Sequence, residues 1–451
     1  MTASVAGNYA KNRLKTALLS KEKAEAEREV YHREAGQRIA KTLGELKGAV
    51  MKVGQMASIA ADVLPKEIAD ALGTLQKEAP PMAYEVIAEQ IESEFGTAPE
   101  TLFRRFDREP FAAASIGQVH RAQTDDGREV VVKVQYPGVD EAVDSDLSHL
   151  KVALRASGLI KVSKASLDAS MAELRERLHE ELDYTNEADN VRAFEFFHRD
   201  HPEIVVPEVI GERSSQRVLT LVYEEGDSIS ELDAKGYDQA TRDKLGCALF
   251  DLMARQIFTL GAIHGDPNPG NLACRKDGRI VLYDYGCVKR LRPEILTAYR
   301  STVLGGLAEE YDRVEEGLLA LGVRNPEGPV PEFSYYKVWR DIFAEPFLRN
   351  PLFDFGGARL HEEVVKQIPG VLKHMRSFQA APQMIFLDRM VAGHYGNLRN
   401  IKARVPVLEM LQPHLDRFDP DDLMWSEGVD TEALYARGQR EGSSPVDATE
   451  G

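Results

Sequence analysis

Ile263-His264-Gly265-Asp266-Pro267-Asn268-Pro269-Gly270-Asn271, followed by Val281-Leu282-Tyr283-Asp284-Tyr285-Gly286, is the stretch on which the fold turns. Between its halves, Arg275-Lys276-Asp277-Gly278-Arg279 carries the Asp-Gly signature of a two-residue hairpin turn with apolar strands on either side. That hairpin is expected to bring Asn271 and Asp284 close together. Acid and amide side chains converging in this way suit phosphoryl transfer. Asn271 and Asp284 can hold divalent ions on a nucleotide's phosphates while Asp266 orients a nucleophile.

Composition bounds the alternatives. A chain of 451 residues, 43% hydrophobic and 29% charged, is large enough for two or more packed units. Its net charge of −17 argues against nucleic acid as the main partner, because phosphate contacts need a basic face. Cys247, Cys274 and Cys287 have no metal spacing and imply no disulfide framework, which fits a reducing cytoplasm. No N-terminal segment reads as a signal peptide, and the apolar stretch from Cys247 to Ile263 is interrupted by Asp251 and Arg255. It therefore reads as a buried helix and not a membrane span.

Upstream of the opening stretch, Phe111 to Ala122 falls on the template G-x-G-x-x-G-x-V. Ala112 and Ala114 stand where its first two glycines would be, with Ala113 and Ser115 beside them, Gly117 at the third glycine and Val119 at the valine. Asp125-Asp126-Gly127 supplies a turn, and Val130-Val131-Val132-Lys133-Val134 matches the V-A-I-K strand. Alone, an alanine run is ordinarily a close helix contact and a strand lysine an edge charge. In the order loop, turn, strand lysine they reinforce one another, and H-x-D-x-x-x-x-N followed by D-x-G completes the protein-kinase order, with Gly265 for Arg and Tyr285 for Phe.

Beyond Lys133 a long helical segment leads to Glu180-Glu181-Leu182-Asp183-Tyr184-Thr185-Asn186-Glu187-Ala188-Asp189-Asn190. Four apart on a helix, Asp183 and Glu187 are expected to share a face. A buried phosphate-binding lysine needs a carboxylate partner, and Glu187 is assigned that role, with Glu180 and Asp189 read as solvated. Ile204-Val205-Val206-Pro207 and Arg217 to Tyr223 read as strands, with Glu224-Glu225-Gly226 connecting two lobes where an adenine edge would meet the backbone. Near the N-terminus, Lys52 and Gln55 project from one side of a helix whose Gly54 marks close packing.

The motifs K-x-G-Q at Lys52 to Gln55, A-A-A-S-I-G-Q-V-H from Ala112 to His120, E-x-D at Glu181 and Asp183, and H-x-D-P-x-P-G-N at His264 to Asn271 together resemble the ABC1/UbiB (AarF, ADCK-type) family of atypical kinases. The resemblance covers roughly residues 40 to 325. It implies an α+β, bilobal protein-kinase-like fold with an added N-terminal helical unit and a helical C-terminal extension. Domain boundaries are expected at 1–100 for that N-terminal unit, 101–224 for the N-lobe with its helical insertion and 225–330 for the C-lobe core. Residues 331–437 form the C-terminal helical region and 438–451 a disordered tail.

The resemblance further implies ATP or ADP with Mg²⁺, and a link to ubiquinone and other isoprenoid-lipid pathways. Lys133 contacts the phosphates, Glu187 pairs with it, Asn271 and Asp284 ligate Mg²⁺ and Asp266 is the candidate base. Lys52, Gln55, Glu181 and Asp183 form a polar set closing the pocket over the nucleotide. Several family members carry C-terminal transmembrane helices and no stretch here reads as one. Contact with lipid or lipid-pathway enzymes is accordingly expected to be peripheral, from a cytoplasmic protein, with Lys11, Arg13, Lys15, Lys21 and Lys23 the best basic face.

Two competing classes leave marks that can be checked. A nucleotide-binding pseudokinase scaffold would lose Lys133, Asp266, Asn271 or Asp284, and all four are present. A conventional protein kinase would have a glycine-rich loop and an A-P-E segment. Instead, Asp284-Tyr285-Gly286 passes directly into Arg290-Leu291-Arg292-Pro293.

Overall fold

The computed structural model describes residues 81–113, 116–140 and 182–441, with scattered positions between 144 and 179. Lys52, Gln55, Ala114, Ser115, Glu181 and the basic N-terminal positions lie outside the described residues. The chain divides into two compact units, one holding residues up to Ala188 together with Val209–Tyr223, the other Asp189–Glu208 and Glu224 onward. The architecture is the expected α+β one.

The first unit is built on an antiparallel sheet in the order Arg105–Phe106, Gly117–Gln123, Glu129–Gln135, Val218–Val222, with Ala112–Ala113 also pairing with Gly117–Gln123. Its valines alternate between buried and half-buried positions, as a strand covered on one face requires. The predicted turn forms at Gly127, whose φ of +90° a side chain would resist. Gly117 is needed for a different reason, because a Cβ there would lie 2.2 Å from the Val134 carbonyl oxygen on the next strand. The inward face carries polar residues with partners. Gln118 Oε1 accepts the Met82 N–H at 3.0 Å and its amide nitrogen lies 2.9 Å from His120 Nε2, while His120 Nδ1 meets the Asp107 carbonyl at 2.8 Å. The Q-V-H part of the motif thus ties neighbouring elements to the sheet.

In the second unit a sheet runs Ile204–Val205, Ile280–Leu282, Leu272–Cys274, Asp227–Ser228, and a two-stranded ribbon pairs Ala262–His264 with Val288–Arg290. The hairpin between Asn271 and Asp284 forms, with one correction: its loop has three residues and not two. Arg275 N–H donates to Arg279 O at 2.9 Å and Gly278 N–H to Arg275 O at 3.0 Å, so Lys276-Asp277-Gly278 is the loop and Gly278 takes φ +95°. A turn closed by a residue at positive φ is the usual three-residue solution, and Asp-Gly serves it as well as the shorter one.

Helix Gln239–Arg255, capped by Asp238 Oδ1 accepting the Thr241 N–H at 2.8 Å, runs into a π-helical turn, Gln256–Leu260. The wider turn delivers Gln256, fully buried, so that its Oε1 accepts the His264 N–H at 2.6 Å. Glu309, whose φ is 61°, separates helices Pro293–Ala308 and Tyr311–Ala320. A second correction concerns the C-terminus. Helix Thr431–Glu441 extends past position 438, where a disordered tail was expected to begin. Among the described residues no helix is long and apolar enough to cross a membrane.

Candidate active site

Lys133 sits in the middle of its strand, in register with Val119 on one neighbour and Leu219 on the other. Its ammonium lies 2.8 Å and 3.0 Å from the two carboxylate oxygens of Glu187, on helix Tyr184–His198. Glu187 is 3% exposed and Lys133 18%. The Tyr184 ring, one helical turn before Glu187, lies 4.9 Å from the ammonium and adds a cation–π contact. A charge pair this dry is held by geometry, since each member would be costly to leave alone.

Asp183 corrects an expectation. It does not share a helical face with Glu187, because the helix begins at Tyr184 and Asp183 precedes it. Its Oδ1 accepts the N–H groups of Thr185 at 3.0 Å and Asn186 at 3.4 Å, which is the work of a helix cap.

The other half of the predicted set belongs to the second unit. Asn271 Nδ2 donates to Asp266 Oδ2 at 2.8 Å, which fixes the amide orientation and leaves Asn271 Oδ1 as the oxygen that accepts no hydrogen bond among the described residues. Asn268 shapes the loop between them: its Oδ1 accepts the Gly270 N–H at 2.9 Å and its carbonyl the Asn271 N–H at 2.9 Å. One oxygen of Asp284 accepts the Gly286 N–H at 3.0 Å, and the Asp284 carbonyl is bound by His264 Nε2. His264 therefore ties the H-x-D strand to the D-x-G turn, a role its motif position did not disclose. Tyr285 is buried, stacked edge-on against Phe194 at 5.3 Å and His264 at 5.6 Å, with its carbonyl taking a 3.0 Å bond from Asn190. Burial pushes its hydroxyl well above the ordinary phenol range.

Glu224 is bound on both its main chain and its side chain. Its carbonyl accepts from the Tyr283 hydroxyl at 2.8 Å and its carboxylate pairs with Arg275 at 2.5 Å, while Arg275 also donates to the Glu225 carbonyl at 2.7 Å. Close packing of this segment explains Gly226, whose Cβ would meet that of Ala273 at 2.6 Å.

Among the described residues no three His, Cys, Asp or Glu side chains gather into a closed metal site. Mg²⁺ is ordinarily held by one or two protein oxygens, with phosphate and water completing the octahedron. The unclaimed oxygen of Asn271 and the carboxylate of Asp284 are hard donors of the right kind.

Sequence reasoning missed Arg389. Its guanidinium lies 2.8 Å from Asp266 Oδ1, reaching the candidate base from helix Ile385–Ile401. His394 on the same helix is buried with neither ring nitrogen hydrogen-bonded, and burial together with the nearby His264 holds its pKa down to about 3.

A family model described as the ABC1 atypical kinase-like domain matches residues 74–318. The chain is 36% identical over 286 residues to ACTIVITY OF BC1 COMPLEX KINASE 8, chloroplastic, of Arabidopsis thaliana, covering 62% of this chain and 37% of that protein. It is 31% identical to the atypical kinase coq-8, mitochondrial, of Caenorhabditis elegans, covering 82% of this chain and 49% of the relative. It is 29% identical to the probable serine/threonine-protein kinase abkA of Dictyostelium discoideum, covering 82% and 68% respectively. The chain thus spans less than half the length of two of these three relatives. A solved complex of Rv3197 with erythromycin from Mycobacterium tuberculosis superposes with a TM-score of 0.62 at 29% identity, covering 90% of this chain and all of that one.

Proposed function

Because the chain belongs to the ABC1 atypical kinase-like family, we propose that it binds ATP or ADP with Mg²⁺ and acts as an atypical kinase or ATPase supporting isoprenoid-lipid metabolism of the ubiquinone type. The observation that carries this reading is the Lys133–Glu187 pair, 2.8 Å long and nearly dry. A lysine inside a sheet, fixed by a carboxylate from a helix far along the chain, is the arrangement that phosphate binding needs and that strand packing does not.

In this reading Lys133 holds the phosphates and Glu187 keeps its ammonium aimed. Asn271 and Asp284 hold Mg²⁺, which when bound neutralises charge on the transferring phosphoryl group. Asp266 orients the nucleophile, its carboxylate fixed by Asn271. The backbone of Ala112, Ala113, Ala114, Ser115, Gly117 and Val119 covers the nucleotide, and that of the Glu224 segment meets the adenine. Alanine at 112 and 114 narrows the ways that loop can fold over the γ-phosphate, and a K-x-G-Q helix across the peptide site disfavours ordinary protein substrates. Thermal denaturation with and without nucleotide tests the assignment. ATP or ADP with Mg²⁺ should raise the transition temperature, EDTA should remove the effect, and no shift with either nucleotide contradicts it.

Peripheral contact with anionic lipid through the basic N-terminal residues Lys11 to Lys23 is part of the same proposal. Co-sedimentation with anionic vesicles should show binding that 0.5 M salt, roughly, abolishes. Absence of binding together with unchanged nucleotide turnover refutes it.

A further inference from the structure

Helix Ile385–Ile401 begins well after residue 318, where the family match ends. Its contacts nevertheless converge on Gly265-Asp266-Pro267. Phe386 packs on Gly265, where a Cβ would lie 3.3 Å from its ring. Arg389 NH2 donates to Asp266 Oδ1 at 2.8 Å. Gly393 lies so near Pro267 that a Cβ would sit 2.2 Å from the ring's Cγ, and Asn397 Nδ2 donates to the Pro267 carbonyl at 2.9 Å. Positions 386, 389, 393 and 397 recur every three or four residues and so form one stripe along the helix. The helix is anchored beside that stripe, since Leu387 and Met390 are fully buried in the core of this unit.

We infer that Arg389 is a positioning residue for the phosphoryl-transfer reaction, and that the helix carrying it braces the loop that presents Asp266. Asn271 holds one oxygen of Asp266 and Arg389 the other, so the carboxylate can rotate only by breaking a charge-assisted bond. Arg389 makes no other hydrogen bond among the described residues, and its side chain is 30% exposed. It is therefore not a structural arginine serving several partners. Gly393 fits the same purpose: the helix approaches Pro267 too closely for any larger residue. This inference rests on the proposed role of Asp266.

The test measures Mg-ATP turnover, Mg-ADP affinity and amide exchange at Gly270 and Asn271 in wild type, Arg389→Ala, Arg389→Lys and Asp266→Asn, and turnover in the Asp266→Asn/Arg389→Ala double variant. Loss of an orienting partner should lower kcat about ten- to a hundredfold and leave ADP affinity within about twofold, because nucleotide contacts lie elsewhere. Lysine, which keeps the charge but not the planar fork, should restore part of the rate. In the Asp266→Asn background Arg389→Ala should cost nothing further, because Arg389 acts through that carboxylate. Unchanged kcat in Arg389→Ala, a parallel fall in kcat and affinity, or an additive loss in the double variant overturns the inference. Should Arg389→Ala not fold, Arg389→Lys carries the same comparisons. If wild type neither binds nor turns over nucleotide, the functional proposal fails, and amide exchange alone decides on the brace. Faster exchange at Gly270 and Asn271 in the variant supports it, and unchanged exchange refutes it.

Discussion

Replacing Lys133 with alanine would take from the Glu187 carboxylate, 3% exposed, its 2.8 Å and 3.0 Å bonds to the ammonium. Removing one partner of a dry ion pair costs about 3–5 kcal/mol. The Lys133 side chain is 18% exposed, so water can reach the vacated space and the lower end applies. A loss of about 3 kcal/mol in a unit of this size corresponds to a fall in Tm of roughly 6–12 °C. Thermal melts by circular dichroism without nucleotide would measure it. The companion variant distinguishes the cost of a buried charge from that of a lost contact. Lys133→Ala/Glu187→Gln removes the buried charge that has lost its ammonium and should be more stable than Lys133→Ala alone, although it makes no more contacts. A Lys133→Ala protein within about 0.5 kcal/mol of wild type, the range of ordinary surface substitutions, would show that the pair is solvated in solution. Strict additivity in the cycle would refute the reasoning in another way, by denying that the two groups interact.

Two further outcomes follow from the same structure and a third from the sequence. Burial holds His198 and His394 at about 3, below the ordinary 6.5, so both stay neutral in the folded state and the unfolded chain binds their protons first. The stability they permit is complete above pH 6.5 and is lost as pH falls toward 3. By pH 5 this amounts to about 2 kcal/mol for each histidine, and His394→Phe should remove about that much of the loss measured by urea titration between pH 7.5 and 5; an unchanged slope counts against it. Gly117→Ala would force a Cβ to within 2.2 Å of the Val134 carbonyl oxygen and should cost about 1–3 kcal/mol as overpacking does, with a normal urea midpoint as the contrary result. Lys52→Ala, if the K-x-G-Q helix gates the nucleotide, should change nucleotide affinity out of proportion to stability and couple with Glu181→Ala; additivity with unchanged binding would make Lys52 an ordinary surface lysine.

Much of this site was legible because kinase-like chemistry is written in short, fixed spacings. Asp266 and Asn271 are five residues apart and meet directly, at 2.8 Å. Lys133 and Glu187 are 54 residues apart, and their pairing was readable only because a strand lysine that binds phosphate requires a carboxylate. Arg389 is 123 residues from Asp266 and lies in a helix with no motif of its own, so neither periodicity nor chemistry pointed to it. Gly393 and Asn397 were hidden for the same reason: their spacing states a helix face and leaves unsaid what the face meets. Asp183 shows the opposite failure. Four-residue spacing to Glu187 was real, but an aspartate at a helix start competes for the free N–H groups, and capping won over face-sharing. The hairpin loop was misjudged by one residue because Asp-Gly serves two turn geometries equally. His264 was read as part of a motif, and its link to the Asp284 carbonyl came only with the fold.

Asp284 as a cation ligand is the central claim about this site. Isothermal titration of ADP into wild type and Asp284→Asn, each with and without Mg²⁺, isolates that claim. Wild type should bind more tightly with Mg²⁺ than without. The variant loses a full negative charge from a hard-cation site and should lose most of the Mg²⁺-dependent gain while still folding, because the bond from Gly286 can be made to the amide oxygen. An equal Mg²⁺ effect in both proteins would contradict the assignment.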